Sequence, residues 1–409
     1  MKLGKNKPLN WGIVGSVVVA IALFLFPLMP RSNPTPSVGN YSEIRGVWIA
    51  NVGSSVLFAP WGINRAIHQL SQQNFNRIYP VVWNRGHTFY RSQVANQAIG
   101  RYQDNWLQFA RFGRDILPEI INLSHRRGLT VMPWFEYGFM VPANSQFAKQ
   151  HPGWLTEANV NPNTDGEEEN FSQVAQPLPG IASHNLWLNP LHPQVQQFIL
   201  DLIKEVVQNY DVDGIQLDDH FAMPVELGYD LLTVKLYREE HQGNPPPKDY
   251  LNAEWMRWRA NKLSEFMARV YREVKRIKPE CVVSLSPNPQ GFAYRHYLQD
   301  WQRWVDEGWV DELILQVYRD KLSDFTAELD RRSLQMARRR IPVGIGILSG
   351  TLTNPVTMEE IQQQVQVVRD RGFDGFSFFY WETLWSYLTP ESPQVRRQAF
   401  GKLLASPGS

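Results

Sequence analysis

Two adjacent acids and a histidine follow a short apolar run in the stretch DVDGIQLDDH, residues 211–220. Asp218, Asp219 and His220 carry side chains that transfer protons, attack an electron-poor carbon or bind a divalent ion. The apolar residues before them are typical of a buried strand. The stretch therefore predicts one of two things: a solvated loop that simply starts there, or a strand that delivers a carboxylate into an active site.

From Glu43 onward, short apolar runs alternate with amphipathic helical patterns. The predicted strands are Arg45–Asn51, Arg77–Trp83, Leu129–Tyr137, Val212–Asp218, Cys281–Asn288, Glu312–Tyr318, Pro342–Ser349 and Asp374–Trp381. The predicted helices are Ile63–Gln73, Asp115–Arg127, Pro193–Asn209, Ala253–Ile277, Trp301–Glu307, Asp324–Arg339, Met358–Arg371 and Pro393–Leu404. Eight successive β–α units predict an α/β fold, a (β/α)8 TIM barrel with long βα loops.

Enzymes with this barrel place their chemistry at the carboxyl ends of the strands. Side chains alternate along a strand, so Gln216 and Asp218 point inward if the intervening aliphatic residues face the helices. The same alternation turns Trp134 and Glu136 inward on the third strand. An inward carboxylate is costly unless it has a partner or a purpose. Asp218 and Glu136 are therefore the predicted catalytic pair.

Two inward carboxyls on neighbouring strands meet the minimum requirement of glycoside hydrolysis. We predict that Glu136, beside Trp134, acts as general acid/base with a raised pKa, and that Asp218 acts as nucleophile or as the base that activates water. The two roles are exchangeable at this point. A carboxyl separation of ~5–5.5 Å predicts retention of configuration, and ~6.5–9.5 Å predicts inversion.

The other polar and aromatic residues near the strand ends are predicted to bind substrate. Aromatic residues make up 12% of the chain, with 15 Trp and 15 Tyr, and sugar C–H faces pack well on such rings. The residues predicted to hold sugar hydroxyls are Arg85, Asn288, Gln316 and Tyr318, and the rings predicted to stack are Trp83, Trp187 and Trp381. The further predicted contacts are Trp134, Tyr137, His184, Asp219, His220 and Glu382, the last also a third candidate carboxylate.

The net charge and the cysteine and histidine content argue against several other classes of function. A formal net charge of +1 implies no nucleic-acid partner. The single cysteine, Cys281, excludes internal disulfides and a cysteine-based zinc site. The histidines lack zinc-protease spacing, so we predict no cofactor and no metal. Binding of a divalent ion by Asp218, Asp219 and His220 is the weaker alternative.

The N-terminus predicts a segment that is not part of the barrel. Three lysines within the first seven residues precede an apolar stretch, Trp11–Met29. This pattern favours an uncleaved membrane anchor over a removed signal peptide, with the body of the protein outside the cytoplasm. The predicted organisation is an anchor or signal at 1–31, a Pro/Ser/Gly linker at 32–42 and the barrel at 43–405.

Three motifs together resemble the glycosyl-hydrolase-like 10 family: EIRGVWIAN at Glu43, LWLNPLHPQVQQF at Leu186 and the stretch ending in Asp218. The resemblance implies an extracytoplasmic barrel that acts on glycans, and for bacterial-envelope relatives it implies peptidoglycan strands stripped of their peptides. DGIQLDD is also similar to the strand-four motif of the α-amylase superfamily, whose nucleophile would correspond to Asp218. This sequence departs from that superfamily at Gln216, where arginine is usual.

Further departures keep other function classes open. The fifth predicted strand ends in Ser-Pro-Asn rather than in a glutamate, and the seventh ends without an aspartate. A non-catalytic glycan-binding barrel tethered to the envelope is therefore the second interpretation. The third is a metal-dependent polysaccharide hydrolase or deacetylase, which a chelator would inhibit. Fold analogy alone does not separate the three.

Overall fold

The computed structural model describes residues 43–51, 53–159, 185–351, 353–385 and 389–405. The predicted anchor or signal segment and the linker lie outside the described residues. Within the described part of the chain, no helix combines the length and the apolar character needed to cross a membrane.

The described residues form one large sheet and two small antiparallel pairs of strands. The strands are β1 (Ile44–Ile49), β2 (Arg77–Pro80), β3 (Trp83–Asn84), β4 (His87–Thr88), β5 (Thr130–Val131), β6 (Trp134–Phe135), β7 (Met140–Pro142), β8 (Asn185–Trp187), β9 (Gly214–Asp218), β10 (Val282–Ser286), β11 (Glu312–Gln316), β12 (Val343–Leu348) and β13 (Gly375–Phe379). The large sheet has the order β5-β2-β1-β13-β12-β11-β10-β9-β6, and the antiparallel pairs are the β3–β4 hairpin and β7–β8, whose strands are distant in sequence.

The ladders of the large sheet are all parallel, and its two outermost strands belong to one stretch of chain. β5 pairs with β2, β6 pairs with β9, and only Met132 and Pro133 separate β5 from β6. The amide of Met132 donates to the carbonyl oxygen of Ile78 at 3.0 Å, and the amide of Gln216 donates to that of Pro133 at 2.9 Å. The sheet therefore curls until the stretch 130–135 is bonded on both sides, and the predicted order of eight parallel strand regions is confirmed.

Helices follow the strands on the outside of the curled sheet. They span Gly62–Gln72, Gln93–Ile99, Asn105–Ala110, Leu117–His125, Gln146–Gln150, Pro193–Asn209, Leu231–Glu240, Ala253–Ile277, Gln290–Tyr297, Trp301–Asp306, Leu322–Leu329, Arg332–Ala337, Met358–Asp370, Trp381–Leu384 and Pro393–Leu403. Local sequence explains their starts: Thr357 and Glu360 form a reciprocal capping box before Met358–Asp370. The box satisfies backbone N–H groups at the helix start that have no partner within the helix.

A line of buried polar side chains crosses the interior of the curled sheet. Trp48 Nε1 donates to Gln216 Oε1 at 2.6 Å, Gln216 Nε2 donates to Ser284 Oγ at 3.1 Å, and Ser284 Oγ donates to Glu312 Oε1 at 2.9 Å. Buried polar groups joined in this way hold one another in place. Gln216 therefore points into the interior, and Asp218, two residues further along β9, points to the same side.

The long connection after β6 contains the antiparallel β7–β8 pair, and it is hydrogen-bonded to the end of β9. The amide of Phe139 donates to the carbonyl oxygen of His220 at 3.1 Å, and the amide of Leu188 donates to that of Phe139 at 2.8 Å. Gly138 precedes them with a φ of +46°, and a side chain there would strike the backbone of His220. Glycine at this position is what allows the two loops to meet beside the strand ends.

Candidate active site

A cleft of about 790 Å³ opens at the carboxyl ends of the parallel strands. Nine of the predicted site residues line it: Trp134, Glu136, Tyr137, Asp218, Asp219, His220, Asn288, Gln316 and Tyr318. They come from the ends of four strand regions that are far apart in sequence. Both predicted catalytic carboxyls are therefore in one cleft.

Glu136 follows β6 directly and is 7% exposed. Asn84, at the end of β3, donates a hydrogen bond from Nδ2 to its Oε2 atom. Burial raises the pKa of Glu136 to about 7, although the hydrogen bond from Asn84 and the positive charges of His220 and Arg85 act to lower it. A buried carboxyl with this pKa still carries a proton near neutral pH and can give it to a departing oxygen.

Changing Asn84 to alanine is expected to move the alkaline limb of the kcat/KM profile to higher pH. The lost hydrogen bond favours the ionised form of Glu136, so its removal raises the pKa of the carboxyl further. A more tightly held proton is transferred less readily, and we expect kcat near neutral pH to fall about tenfold or more. The pH–rate profiles of both proteins test this. A folded variant whose limb stays at the wild-type pH would contradict the role of Asn84 in lowering the pKa of Glu136.

Asp218 ends β9 and is 3% exposed. Gln316 Nε2 donates to its Oδ1 at 2.6 Å, and the amide of Asp219 donates to the same oxygen at 2.9 Å. Burial and the charge of Asp219 raise the pKa of Asp218 well above its ordinary range. The two donors fix the orientation of this carboxyl, which is what a nucleophile or a general base requires.

Asp219 and His220 form an ion pair beside Asp218. His220 Nδ1 lies 3.0 Å from Asp219 Oδ1 and 3.2 Å from the carbonyl oxygen of Glu136, and since both are acceptors, Nδ1 carries a hydrogen. Burial alone would raise the pKa of Asp219 and lower that of His220, but their mutual attraction outweighs burial in both cases. The pKa of Asp219 is therefore lowered, that of His220 is raised, and the pair joins the ends of β9 and β6.

The same three residues are also the donor set of the metal alternative. Ligand atoms of Asp218, Asp219 and His220 lie within 4.8 Å of one another, and oxygen and imidazole donors suit several divalent ions. However, Nδ1 of His220 pairs with Asp219, and Asn288 Nδ2 donates to Asp219 Oδ2 at 2.7 Å. An ion bound through His220 Nδ1 or through Asp219 would have to displace these contacts.

Aromatic rings form one wall of the cleft. Trp48 lies 6.3 Å from Trp134, Trp134 lies 6.4 Å from Phe379, and Phe379 lies 5.6 Å from Tyr318, measured between ring centroids. All four line the cleft, with Phe379 and Tyr318 only partly buried. Trp48 and Trp134 are buried, so the rings accessible to a sugar are Tyr318 and Phe379, at the ends of β11 and β13.

A second row of aromatic rings lies on the side of Glu136 and Asp218 opposite the first row. Tyr137 stacks on His220 with centroids 5.7 Å apart, His220 lies 6.0 Å from Trp187, and Trp187 lies 6.3 Å from Tyr297. Trp187 is nearly buried, and its Nε1 donates to the carbonyl oxygen of Ala222 at 2.9 Å. Trp187 does not line the cleft, so its placement supports His220 and does not fit the predicted sugar-stacking role.

Trp83 also lies elsewhere than predicted. The chain leaves the large sheet after β2 and turns into the β3–β4 hairpin, which rotates the ring into the core. Trp83 is fully buried, with centroid distances of 5.7 Å to Phe147 and 5.5 Å to Phe198. Its Nε1 donates to the carbonyl oxygen of Gly138 at 2.9 Å. The prediction that Trp83 stacks on sugar is wrong, because the ring is part of the packed core.

The predicted contacts on the eighth strand are displaced as well. The strand ends at Phe379, and a short helix begins at Trp381. Trp381 packs edge-on against Trp385 at 5.3 Å, and Ser54 Oγ donates to Glu382 Oε1 at 2.6 Å. Neither Trp381 nor Glu382 lines the cleft. Phe379 takes the lining position that was predicted for Trp381.

Two predicted residues remain. Arg85 stands behind the cleft lining, where its Nε donates to the hydroxyl of Tyr137 at 3.3 Å and its charge lowers the pKa of Glu136. His184 lies outside the described residues. Arg85 is therefore placed to lower the pKa of Glu136 rather than to hold a sugar hydroxyl.

Several contributors were not predicted from the sequence. Asn84 directly follows the second predicted strand, where polar residues were expected, and the inward face of β1 could have revealed Trp48. Gln299 had no such signal: its Nε2 donates to the carbonyl oxygens of Asp218 at 3.0 Å and Phe221 at 3.2 Å. It anchors the loop after β9 from a distant part of the chain.

The curled sheet is shared with solved glycoside hydrolases. The glycoside hydrolase domain of PgaB (BpsB) from Bordetella bronchiseptica has a TM-score of 0.62 and 12% identity, over 90% of this chain and 100% of that one. The catalytic domain of a β-amylase from Paenibacillus polymyxa has a TM-score of 0.57 and 10% identity, over 88% and 98% of the two chains. At these identities the comparison shows a common fold, that of glycoside hydrolase barrels.

The sequence comparison is more specific. Residues 43–368 match the Glycosyl hydrolase-like 10 family. Glycosyl hydrolase DigH of Escherichia coli strain K12 is 26% identical over 358 residues, covering 74% of each chain. Glycosyl hydrolase YngK of Bacillus subtilis strain 168 is 22% identical over 341 residues, covering 75% of this chain and 58% of that protein. The chain belongs to the Glycosyl hydrolase-like 10 family and is a glycoside hydrolase by class, as its motifs indicated.

Proposed function

We propose that this protein hydrolyses the glycosidic bonds of peptidoglycan glycan strands that have been stripped of their peptides. One observation carries the proposal: Glu136, with a pKa of about 7, and Asp218 are held in the same aromatic-walled cleft. An acid that protonates the leaving oxygen and a second carboxyl that attacks or activates water are the two groups that glycoside hydrolysis needs. Membership of the family supports glycan hydrolysis in general.

In the proposed reaction Glu136 gives its proton to the glycosidic oxygen as the bond from that oxygen to the anomeric carbon breaks. Asp218, held by Gln316 and the Asp219 amide, then has one of two roles. It attacks the anomeric carbon to form a glycosyl ester, which water activated by Glu136 hydrolyses, or it removes a proton from a water that attacks directly. Both routes yield the same two sugar ends and differ in anomeric configuration.

The proposed location is the cell envelope. The positively charged N-terminus and the apolar stretch after it favour a protein anchored in the inner membrane with its catalytic body outside the cytoplasm. In that position the cleft would meet wall polysaccharide directly.

The substrate is tested by incubating the full-length protein with intact peptidoglycan and, in parallel, with strands freed of peptides. Soluble products are identified by mass spectrometry. We expect fragments from the stripped strands and few from the intact wall. Equal release from both would contradict the requirement for stripped strands. Retention of the protein on the strands without release would favour the glycan-binding interpretation.

A chelator separates this mechanism from the metal-dependent alternative, which the cluster of Asp218, Asp219 and His220 motivates. We expect dialysis against EDTA to leave kcat/KM on stripped strands unchanged within about twofold, because acid/base catalysis by carboxyls needs no ion. Recovery with Zn²⁺ or Mg²⁺ is measured in the same samples. A large loss that either ion restores would overturn the two-carboxylate mechanism.

A further inference from the structure

A second, smaller cavity lies beside the catalytic cleft. It has a volume of about 290 Å³, and Pro289, Phe292 and Arg319 line both spaces. Complete ligand sites usually occupy ~300–1,000 Å³. This side cavity therefore suits a substituent of a molecule bound in the cleft better than it suits a separate ligand.

The side cavity is positively charged. Arg295, Arg319 and Arg331 line it together with one acid, Glu328. Arg319 Nη2 lies 3.4 Å from Glu328 Oε1, and Arg331 Nε lies 3.6 Å from Glu328 Oε2. Three guanidinium groups against one carboxylate give a formal charge of +2. Since a guanidinium has five N–H donors, these long contacts leave donors available for a further anion.

The neighbouring cleft has the opposite character. Glu136, Asp218, Asp219 and Asp320 line it, and among the described residues Arg319 is the one arginine or lysine in its wall. Glu136 is protonated near neutral pH and Asp219 is paired with His220, so a carboxylate on a bound sugar would meet its nearest uncompensated positive charge at Arg319. The charge distribution therefore points an acidic substituent out of the cleft centre and into the side cavity.

We propose that the side cavity binds the carboxylate-bearing substituent of an acidic sugar, such as the lactyl ether of a muramic acid residue, while the sugar ring lies in the catalytic cleft. Guanidinium groups bind carboxylates in paired, charge-assisted hydrogen bonds. Arg319 stands at the entrance, with Nη1 donating to the carbonyl oxygen of Tyr318 at 3.0 Å, and Arg295 and Arg331 lie beyond it.

This inference rests on the proposed function and gives a physical reason for its substrate. A stem peptide is attached to the lactyl carboxyl through an amide bond, which removes the negative charge and adds bulk. The arginine-lined cavity would then favour stripped strands because their carboxylates are free.

The test uses the full-length protein with Glu136→Gln, so that substrate binds without being cleaved. Dissociation constants are measured by calorimetry for stripped strands with free carboxyls and for the same strands converted to methylamides. We expect the free acids to bind about tenfold more tightly, which corresponds to ~1.4 kcal/mol. We also expect Arg295→Ala or Arg331→Ala to remove most of that preference. Arg332→Ala is the matched control, since Arg332 is exposed and adjacent but does not line the cavity.

Equal affinity for the two strand forms would overturn the inference, and so would arginine variants that weaken both forms equally. The proposed function is tested separately by the wild-type protein in a cleavage assay. Cleavage of both forms at the same kcat/KM would refute the side cavity alone. Selective binding of free acids without any cleavage would refute hydrolysis alone, and binding of neither form would refute both.

Discussion

Replacing Glu136 by glutamine is expected to abolish hydrolysis of stripped glycan strands and to leave the protein folded. General acid catalysis contributes ~10²–10⁴-fold to such reactions, so kcat should fall by about that factor. Glutamine has nearly the same shape, and its amide oxygen is able to accept the hydrogen bond that Asn84 donates to Glu136. The remaining activity should also lose the alkaline limb that the wild type shows near the pKa of about 7.

The same substitution is expected to stabilise the protein at alkaline pH. The folded state raises the pKa of Glu136 from 4.5 to about 7, so the native protein keeps a proton that the unfolded chain releases. Stability therefore falls as the pH rises through this window, by an amount on the order of 3 kcal/mol for the full shift. Glutamine does not ionise, so the variant does not lose this stability as the pH rises. Below about pH 4.5 both states are protonated and the two proteins should be similar.

Urea unfolding at pH 4.5 and pH 8, with kcat measured on the same samples, checks both effects. Glu382→Gln is a suitable control, because Glu382 is also a partly buried acid with a raised pKa but lies outside the cleft. It should keep activity. An active Glu136→Gln protein, or one that is less stable than the wild type at pH 8, would contradict the assignment of Glu136 as the buried acid.

Replacing Asp218 by asparagine should be as damaging to activity, again by ~10²–10⁴-fold or more. Asparagine keeps the acceptor atom that Gln316 and the Asp219 amide bind, so the loop after β9 should retain its shape. The pKa of Asp218 is raised by burial, which means that its ionised form costs stability above its ordinary pKa. The variant should therefore be at least as stable as the wild type at neutral pH.

Circular dichroism measures the stability of the variant, and the release of reducing ends measures its activity. Asp320→Asn is the matched control, since Asp320 also lines the cleft but is exposed and follows Arg319 in a loop. It should lower kcat far less. Near-wild-type kcat in Asp218→Asn would eliminate Asp218 as nucleophile or base. The role itself is read from the anomer that the wild type releases first, by NMR: retention identifies a nucleophile and inversion a base.

Periodicity was sufficient to predict the strands that carry the two carboxyls. The alternation of buried and inward residues along β9 placed Gln216 and Asp218 on one side, and the same rule placed Trp134 and Glu136. The eight strand regions also occur in the predicted order. These features depend on local sequence and on the rule that parallel strands end at one face, and both can be evaluated without coordinates.

The predicted positions of two residues were wrong for one physical reason: the chain changes direction at the end of the strand. Trp83 enters a hairpin and Trp381 enters a helix, so alternation no longer predicts where their rings point. Contacts between distant segments are equally invisible to periodicity. Gln299 reaches Asp218, and the arginines of the side cavity converge from three segments. Only the packed structure shows these arrangements.

The central claim is that this cleft hydrolyses a glycosidic bond. Its most direct test is digestion of stripped glycan strands in H₂¹⁸O by the full-length protein, with immediate borohydride reduction and mass spectrometry of the products. We predict new reducing ends that each carry one ¹⁸O atom with the wild type, and none with Glu136→Gln. Products with anhydro ends and no ¹⁸O, or equal ¹⁸O incorporation by the variant, would contradict hydrolysis by Glu136 and Asp218.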